Sequence, residues 1–91
     1  MQTLAKIVTK DTIKDIVTSN LLLGLDGALE RIVIQVCELH NVPPYMLTNI
    51  ECAQIVKALD SHHLFLLRDA VNTVARILPT SRVSIYKYMR I

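Results

Sequence analysis

The sequence has no tryptophan, one phenylalanine, two glycines and three prolines. So small a stock of turn-forming residues argues against a sheet-rich fold. With aromatics this scarce, the core must be aliphatic, and an apolar share of 52% supplies enough for one. Cysteine occurs twice, at Cys37 and Cys52, too few for a disulfide framework, so a reducing, cytoplasmic setting is expected. No apolar run approaches the roughly 20 residues that span a bilayer. The start, MQTLAKIVTK, lacks the apolar stretch of a signal peptide, and no membrane role is expected. Glycine-rich phosphate loops, nucleophile motifs and paired carboxylates are missing as well, which points away from an enzyme.

What remains is a short chain of amphipathic helices. The fold class expected is all-α: a small helical bundle that ends in a three-helix helix-turn-helix unit. The 91 residues make one small domain or a fragment of a larger protein. Residues 1–8 carry no clear cap and are expected to fray. Thr12 with Asp15 gives a loose capping signal for a helix over about 10–20, with Ile13, Ile16 and Val17 on one face. Leu21, Leu22 and Leu23 then lead to Gly24, a residue suited to a helix C-cap, and read as either core or an oligomer contact, with a dimer contact preferred. Asp26 is the expected N-cap of the next helix, about 26–40. There Leu29, Ile32, Val33, Val36, Cys37 and His40 recur at helical spacing, with Ile34 off the stripe. Asn41 ends it, and Pro43-Pro44 makes an extended connector.

Thr48 and Glu51 form a capping box ahead of Ile55, Val56 and Leu59, which places a helix at about 49–60; Leu47 and Cys52 stand where a hydrophobic staple would. Asp60-Ser61-His62-His63 breaks it. This polar turn is read as a connector and not as an acid/base pair. Leu64 to Leu67 is expected as a buried apolar connector. Cys37 and His40 lie on one helical face, but Cys52 fits a packing position and the remaining histidines stand apart, so neither metal nor cofactor is expected. A helix at about 67–78 follows, with Ala70, Val71, Val74, Ala75 and Leu78 on one face. Pro79 stops it, and Thr80 or Ser81 caps the last helix, about 81–90.

That last pair carries the functional reading. In the final helix Ile85, Tyr88 and Met89 share one face, while Arg82, Val83, Tyr86, Lys87 and Arg90 point elsewhere. Two helices joined by a short turn, the second basic and hydroxyl-rich outside, is the pattern of a DNA-binding helix-turn-helix. Charge is divided in the same sense. Residues 1–60 hold five basic and seven acidic side chains, a balance of −2; residues 61–91 hold five basic ones against Asp69 alone, a balance of +4. A polyanion would meet the C-terminal third. In the major groove Arg82 suits a bidentate contact to guanine and Val83 a thymine methyl, with Tyr86 and Lys87 one turn on. Ser81, Ser84 and Arg90 suit phosphates, and Arg68 or Arg76 on the preceding helix suits the DNA backbone. The partners expected are double-stranded DNA and a second copy of the chain. The competing reading is a helical protein-interaction or dimerisation module without nucleic-acid binding.

The run IVKALDSHHLFLLRDAVNTVARILPTSRVSIYKYM, with HNVPPYMLTNIE before it, resembles the C-terminal DNA-binding domain of YheO-like bacterial transcriptional regulators. The resemblance rests on a spaced set: Ile55-Val56, Leu59-Asp60, Leu64-Phe65, Ala70-Val71, Val74-Ala75, Leu78, Ser81, Ile85-Tyr86 and Tyr88. It covers about residues 38–91, and more weakly 25–37. It implies a helix-turn-helix domain at 48–91, preceded over 1–47 by helices that dimerise or link to a PAS-like sensor domain of unknown ligand. The sensor domain is not within these 91 residues. The sequence departs from the family at the turn, where Pro79 and Thr80 stand in place of the usual glycine and apolar residue. Proline cannot adopt the positive φ that glycine tolerates there, so a turn of another shape is expected.

Overall fold

A computed structural model describes residues 8–90. All regular structure among them is helical. The helices are α1 (Lys14–Leu23), α2 (Ala28–Glu38), α3 (Asn49–Ser61), α4 (Ala70–Ile77) and α5 (Arg82–Arg90), with single 3-10 turns at Pro44–Met46 and Leu64–Leu66. The expected all-α bundle is therefore what forms. Of the residues expected to fray, Val8 is buried in the core, and residues 1–7 lie outside the described residues.

Helix α1 starts and ends about three residues later than the sequence implies. Thr12 does not pair with Asp15. It closes a turn with Thr9, whose N–H donates to Thr12 Oγ1 at 2.8 Å, and Ile13 occupies the N-cap position without a side-chain cap. At the far end leucine is a good helix former, so Leu21 to Leu23 extend the helix until Gly24 turns it off at φ 62°. Asp26 is not the N-cap of α2. Gly27 holds that position at φ 80°, and the Asp26 carbonyl accepts a hydrogen bond from Arg31 Nη1 at 3.0 Å. The α1–α2 turn is tied further by the buried Asn20, which donates to the Ile16 carbonyl and to Gln35 Oε1 and accepts from Arg31 Nε.

All six stripe residues, Leu29 through His40, are buried, five of them on α2 and His40 just past its end, and Ile34 is exposed as its position implies. Helix α2 stops at Glu38, two residues early. Asn41, at φ 58°, closes the end through its N–H to the Glu38 carbonyl. Pro43 is extended, but Pro44 begins a 3-10 turn, where its fixed φ suits a first helical position. The capping box of α3 forms in both directions: Thr48 N–H donates to Glu51 Oε1 at 2.9 Å, and Glu51 N–H donates to Thr48 Oγ1 at 3.2 Å. Leu47 and Cys52 are both buried, as a staple requires.

The leucine connector departs from expectation. Leu64 is buried and Phe65 half-buried, but Leu66 is 84% exposed and Leu67 is exposed as well. His63 adopts φ 62° and launches a 3-10 turn. Three residues per turn cannot set every side chain of such a run on one face. Helix α4 then starts at Ala70, after Asp69 at φ 58°, rather than at 67. The core gathers Ile13, Ile32, Val33, Val36, Ile55, Val56, Leu59, Val74 and Ile85, each essentially without solvent contact. Helix α2 packs against both α1 and α4, α3 packs on α5, and α4 meets α5.

Candidate nucleic-acid interface

The turn between α4 and α5 forms without glycine. Leu78 is extended and ends α4 (φ −82°, ψ 147°). The Thr80 N–H donates to the Leu78 carbonyl at 2.7 Å, across Pro79 alone. A bond spanning one residue is a γ-turn, and its inverse form needs a central φ near −75°, which the proline ring supplies. No non-glycine residue from 78 to 81 has a positive φ. Pro79 thus replaces the glycine turn with one that its own ring enforces.

Ser81 caps α5. Its Oγ accepts from the Ser84 N–H at 3.2 Å and lies 3.2 Å from Ser84 Oγ, and its carbonyl takes the Ile85 N–H. Both serines proposed for phosphate contact are thereby engaged in starting the helix. Ile85 is fully buried and Tyr88 and Met89 are half-buried against the core. Consequently Arg82, Val83, Tyr86, Lys87 and Arg90 face outward; Val83 is 70% exposed, Tyr86 45%. Every charged side chain on this helix is basic. The helix-terminal partial charge and these side chains give one exposed positive surface.

The two arginines assigned to the preceding helix stand differently. Arg68 is exposed but lies in the turn before α4, since that helix begins two residues later. Arg76 is in the last turn of α4, with its Nη2 3.6 Å from Glu30 Oε1 of α2 and 3.4 Å from Thr73 Oγ1. Both partners of this ion pair are more than half exposed. Pairs of that kind contribute about 0–1 kcal/mol, so a phosphate can compete for the guanidinium.

An open groove of about 260 Å³ runs between the start of α4 and the start of α5, with Phe65, Leu67, Asp69, Asn72, Arg82 and Tyr86 along it. It is smaller than the ~300–1,000 Å³ of pockets that enclose small ligands. Sequence reasoning named Arg82 and Tyr86 here but missed Asp69 and Asn72. The signal was an Asp-x-x-Asn spacing at a helix start. Asn72 Nδ2 donates to Asp69 Oδ1 at 2.6 Å.

The residues weighed for metal or acid/base chemistry are occupied otherwise. Cys37 and Cys52 are buried. Burial pushes the Cys37 thiol up to about 12, with Cys52 and Glu38 adding to it, and burial also raises Cys52. Neither is a thiolate at neutral pH. His40 Nδ1 lies 3.3 Å from Glu51 Oε2, and His62 Nε2 donates to the Lys10 carbonyl at 2.8 Å. Among the described residues, no three His, Cys, Asp or Glu side chains are placed to hold a metal ion. No described helix is long and apolar enough to cross a membrane.

Residues 28–90 match the family model of the HTH domain. The chain belongs to this helix-turn-helix family. The match takes in α2 together with α3, α4 and α5. Searches of curated proteins and of solved structures gave no match. The helices α4 and α5 stand in the order of the two helices of a helix-turn-helix.

Proposed function

We propose that this helix-turn-helix domain binds double-stranded DNA through the outward face of α5, as a homodimer, in a bacterial transcriptional regulator of YheO-like organisation. One observation carries the proposal: burial of Ile85, Tyr88 and Met89 turns Arg82, Val83, Tyr86, Lys87 and Arg90 outward together. Within the groove, Arg82 suits guanine, Val83 a thymine methyl, and Lys87 and Arg90 the phosphates. The N-terminal region over 1–47 would join two copies or connect to a sensor domain, with the ligand set by that domain. The bacterial cytoplasm is the compartment of such a regulator. Anisotropy of labelled random duplexes at low salt tests the binding. Affinity is expected to fall as salt rises, with a logarithmic slope of about −0.9 for each phosphate neutralised. Absence of binding at high protein concentration contradicts the proposal.

A second reading, a protein-interaction module without DNA binding, has one feature in its favour. Leu21, Leu22, Leu23 and Leu25 are all exposed around the end of α1. Contiguous apolar surface on the order of a few hundred Å² marks contact sites. Under the first reading this surface joins the two copies that address successive major grooves. Sedimentation analysis of the parent and Leu22→Glu separates the two uses. Loss of a dimer with weakened DNA binding supports the homodimer; a parent that is monomeric on and off DNA contradicts it.

A further inference from the structure

The groove beside α5 holds a polar pair that the reading-helix assignment does not use. Asp69 sits at the N-cap position of α4, yet its side chain caps no backbone N–H. The carboxylate takes the Asn72 side chain, at 2.6 Å. A carboxylate only accepts hydrogen bonds, so the group facing it is the Asn72 amino group, and the amide cannot flip. One N–H is thus engaged. The second N–H and Oδ1 have no hydrogen-bond partner among the described residues, and both residues are exposed. Together they line one groove with Arg82 and Tyr86.

When Asp69 takes the N–H remote from Oδ1, the other N–H and Oδ1 stand side by side on one amide edge, an acceptor beside a donor that matches adenine in the major groove, whose N6 amino group donates and whose N7 accepts. From this we infer that Asn72 is a second base-reading side chain, positioned by Asp69 and selecting adenine next to the base read by Arg82. The inference rests on α5 lying in the major groove. It also accounts for an acidic residue beside a surface that meets phosphates. Asp69 spends its charge on fixing the amide, and the phosphate contacts fall to Lys87 and Arg90 farther along α5.

The test is selection of bound sequences from a pool of randomised duplexes, using the full chain and its Asn72→Ala, Asp69→Ala and Arg82→Ala variants. Thermal unfolding by circular dichroism confirms that each is folded. The parent is expected to enrich an adenine at one position and a guanine at another. Asn72→Ala is expected to lose the adenine preference, on the order of ten- to a hundred-fold, while keeping the guanine preference and the salt slope. Arg82→Ala should do the reverse. Asp69→Ala should weaken the adenine preference without moving it. If Asn72→Ala selects the same sequences as the parent, Asn72 is not a reader and the inference is overturned. An unchanged adenine preference in Asp69→Ala overturns the positioning role. A parent that binds without enriching any base overturns base reading by α5 itself, a result distinguishable from the first.

Discussion

The two ends of the molecule expose opposite chemistry on helices of similar length. At the end of α1, burial of Ile13, Val17 and Asn20 leaves four leucines around Gly24 in solvent. On α5, burial of Ile85 leaves three basic side chains, a tyrosine and a valine there. Exposed apolar surface is suited to another protein surface, and clustered positive charge to a polyanion. Under the proposed function, this division of the surface separates assembly from recognition. The core between them, through α2 and α4, holds both faces in fixed relation.

The strongest perturbation of that contrast is to remove the anchor of one face while trimming the other. Ile85→Ala, at a site with no solvent contact, is expected to lower unfolding free energy by about 2–5 kcal/mol. Leu22→Ala, 82% exposed, should change monomer stability by less than about 0.5 kcal/mol. Urea titration of both variants checks this, and equal losses would break the comparison.

Next in size is the cap that starts the C-terminal three-helix unit. Thr48→Ala removes one half of the reciprocal box and should cost about 1 kcal/mol. Gly27→Ala meets only Arg31 Nη1, at 3.6 Å, but forces a side chain onto φ 80°. It should also cost roughly 1–2 kcal/mol, through backbone strain at the start of α2 and not through a clash. Similar losses from a missing side chain and from an added one would show that the two regions begin their helices by different means.

The smallest effect is the pH dependence of that cap. The Thr48 N–H holds the Glu51 carboxyl below its ordinary value of 4.5, aided by the Thr48 hydroxyl and by His40, against opposing desolvation. A lowered folded-state value means that the stabilisation is present above the unfolded value and is lost as pH falls through the folded one. Between about pH 6 and about pH 3 the parent should therefore lose more stability than Glu51→Gln. Identical pH profiles would remove the charge from the cap.

How far the sequence revealed these regions depended on side-chain signals. Thr48 and Glu51 marked the start of α3 to the residue, and the six-residue stripe of α2 identified its buried face because period alone sets it. The outward face of α5 was legible for the same reason. Boundaries made by the backbone were not. Gly27, His63 and Asp69 begin their elements in the left-handed region, and no apolar pattern announces a single residue's φ. Asn, Asp and His are the non-glycine types most tolerant of that region, and Asn41, His63 and Asp69 are one of each. The exposure of Leu66 was hidden because a 3-10 turn breaks the reading of an apolar run as buried. The Asp69–Asn72 pair escaped notice since Asp before a helix is ordinarily a cap, and here the carboxylate serves a side chain instead.

The most direct measurement is nuclear magnetic resonance of the labelled chain titrated with duplex DNA from the selection. Amide and side-chain shifts are expected to concentrate at residues 81–90 and 69–72, with the amides of 21–25 unmoved by DNA at constant oligomeric state. Shifts gathered at 21–25 instead, with residues 81–90 silent at low salt, would contradict DNA recognition by α5.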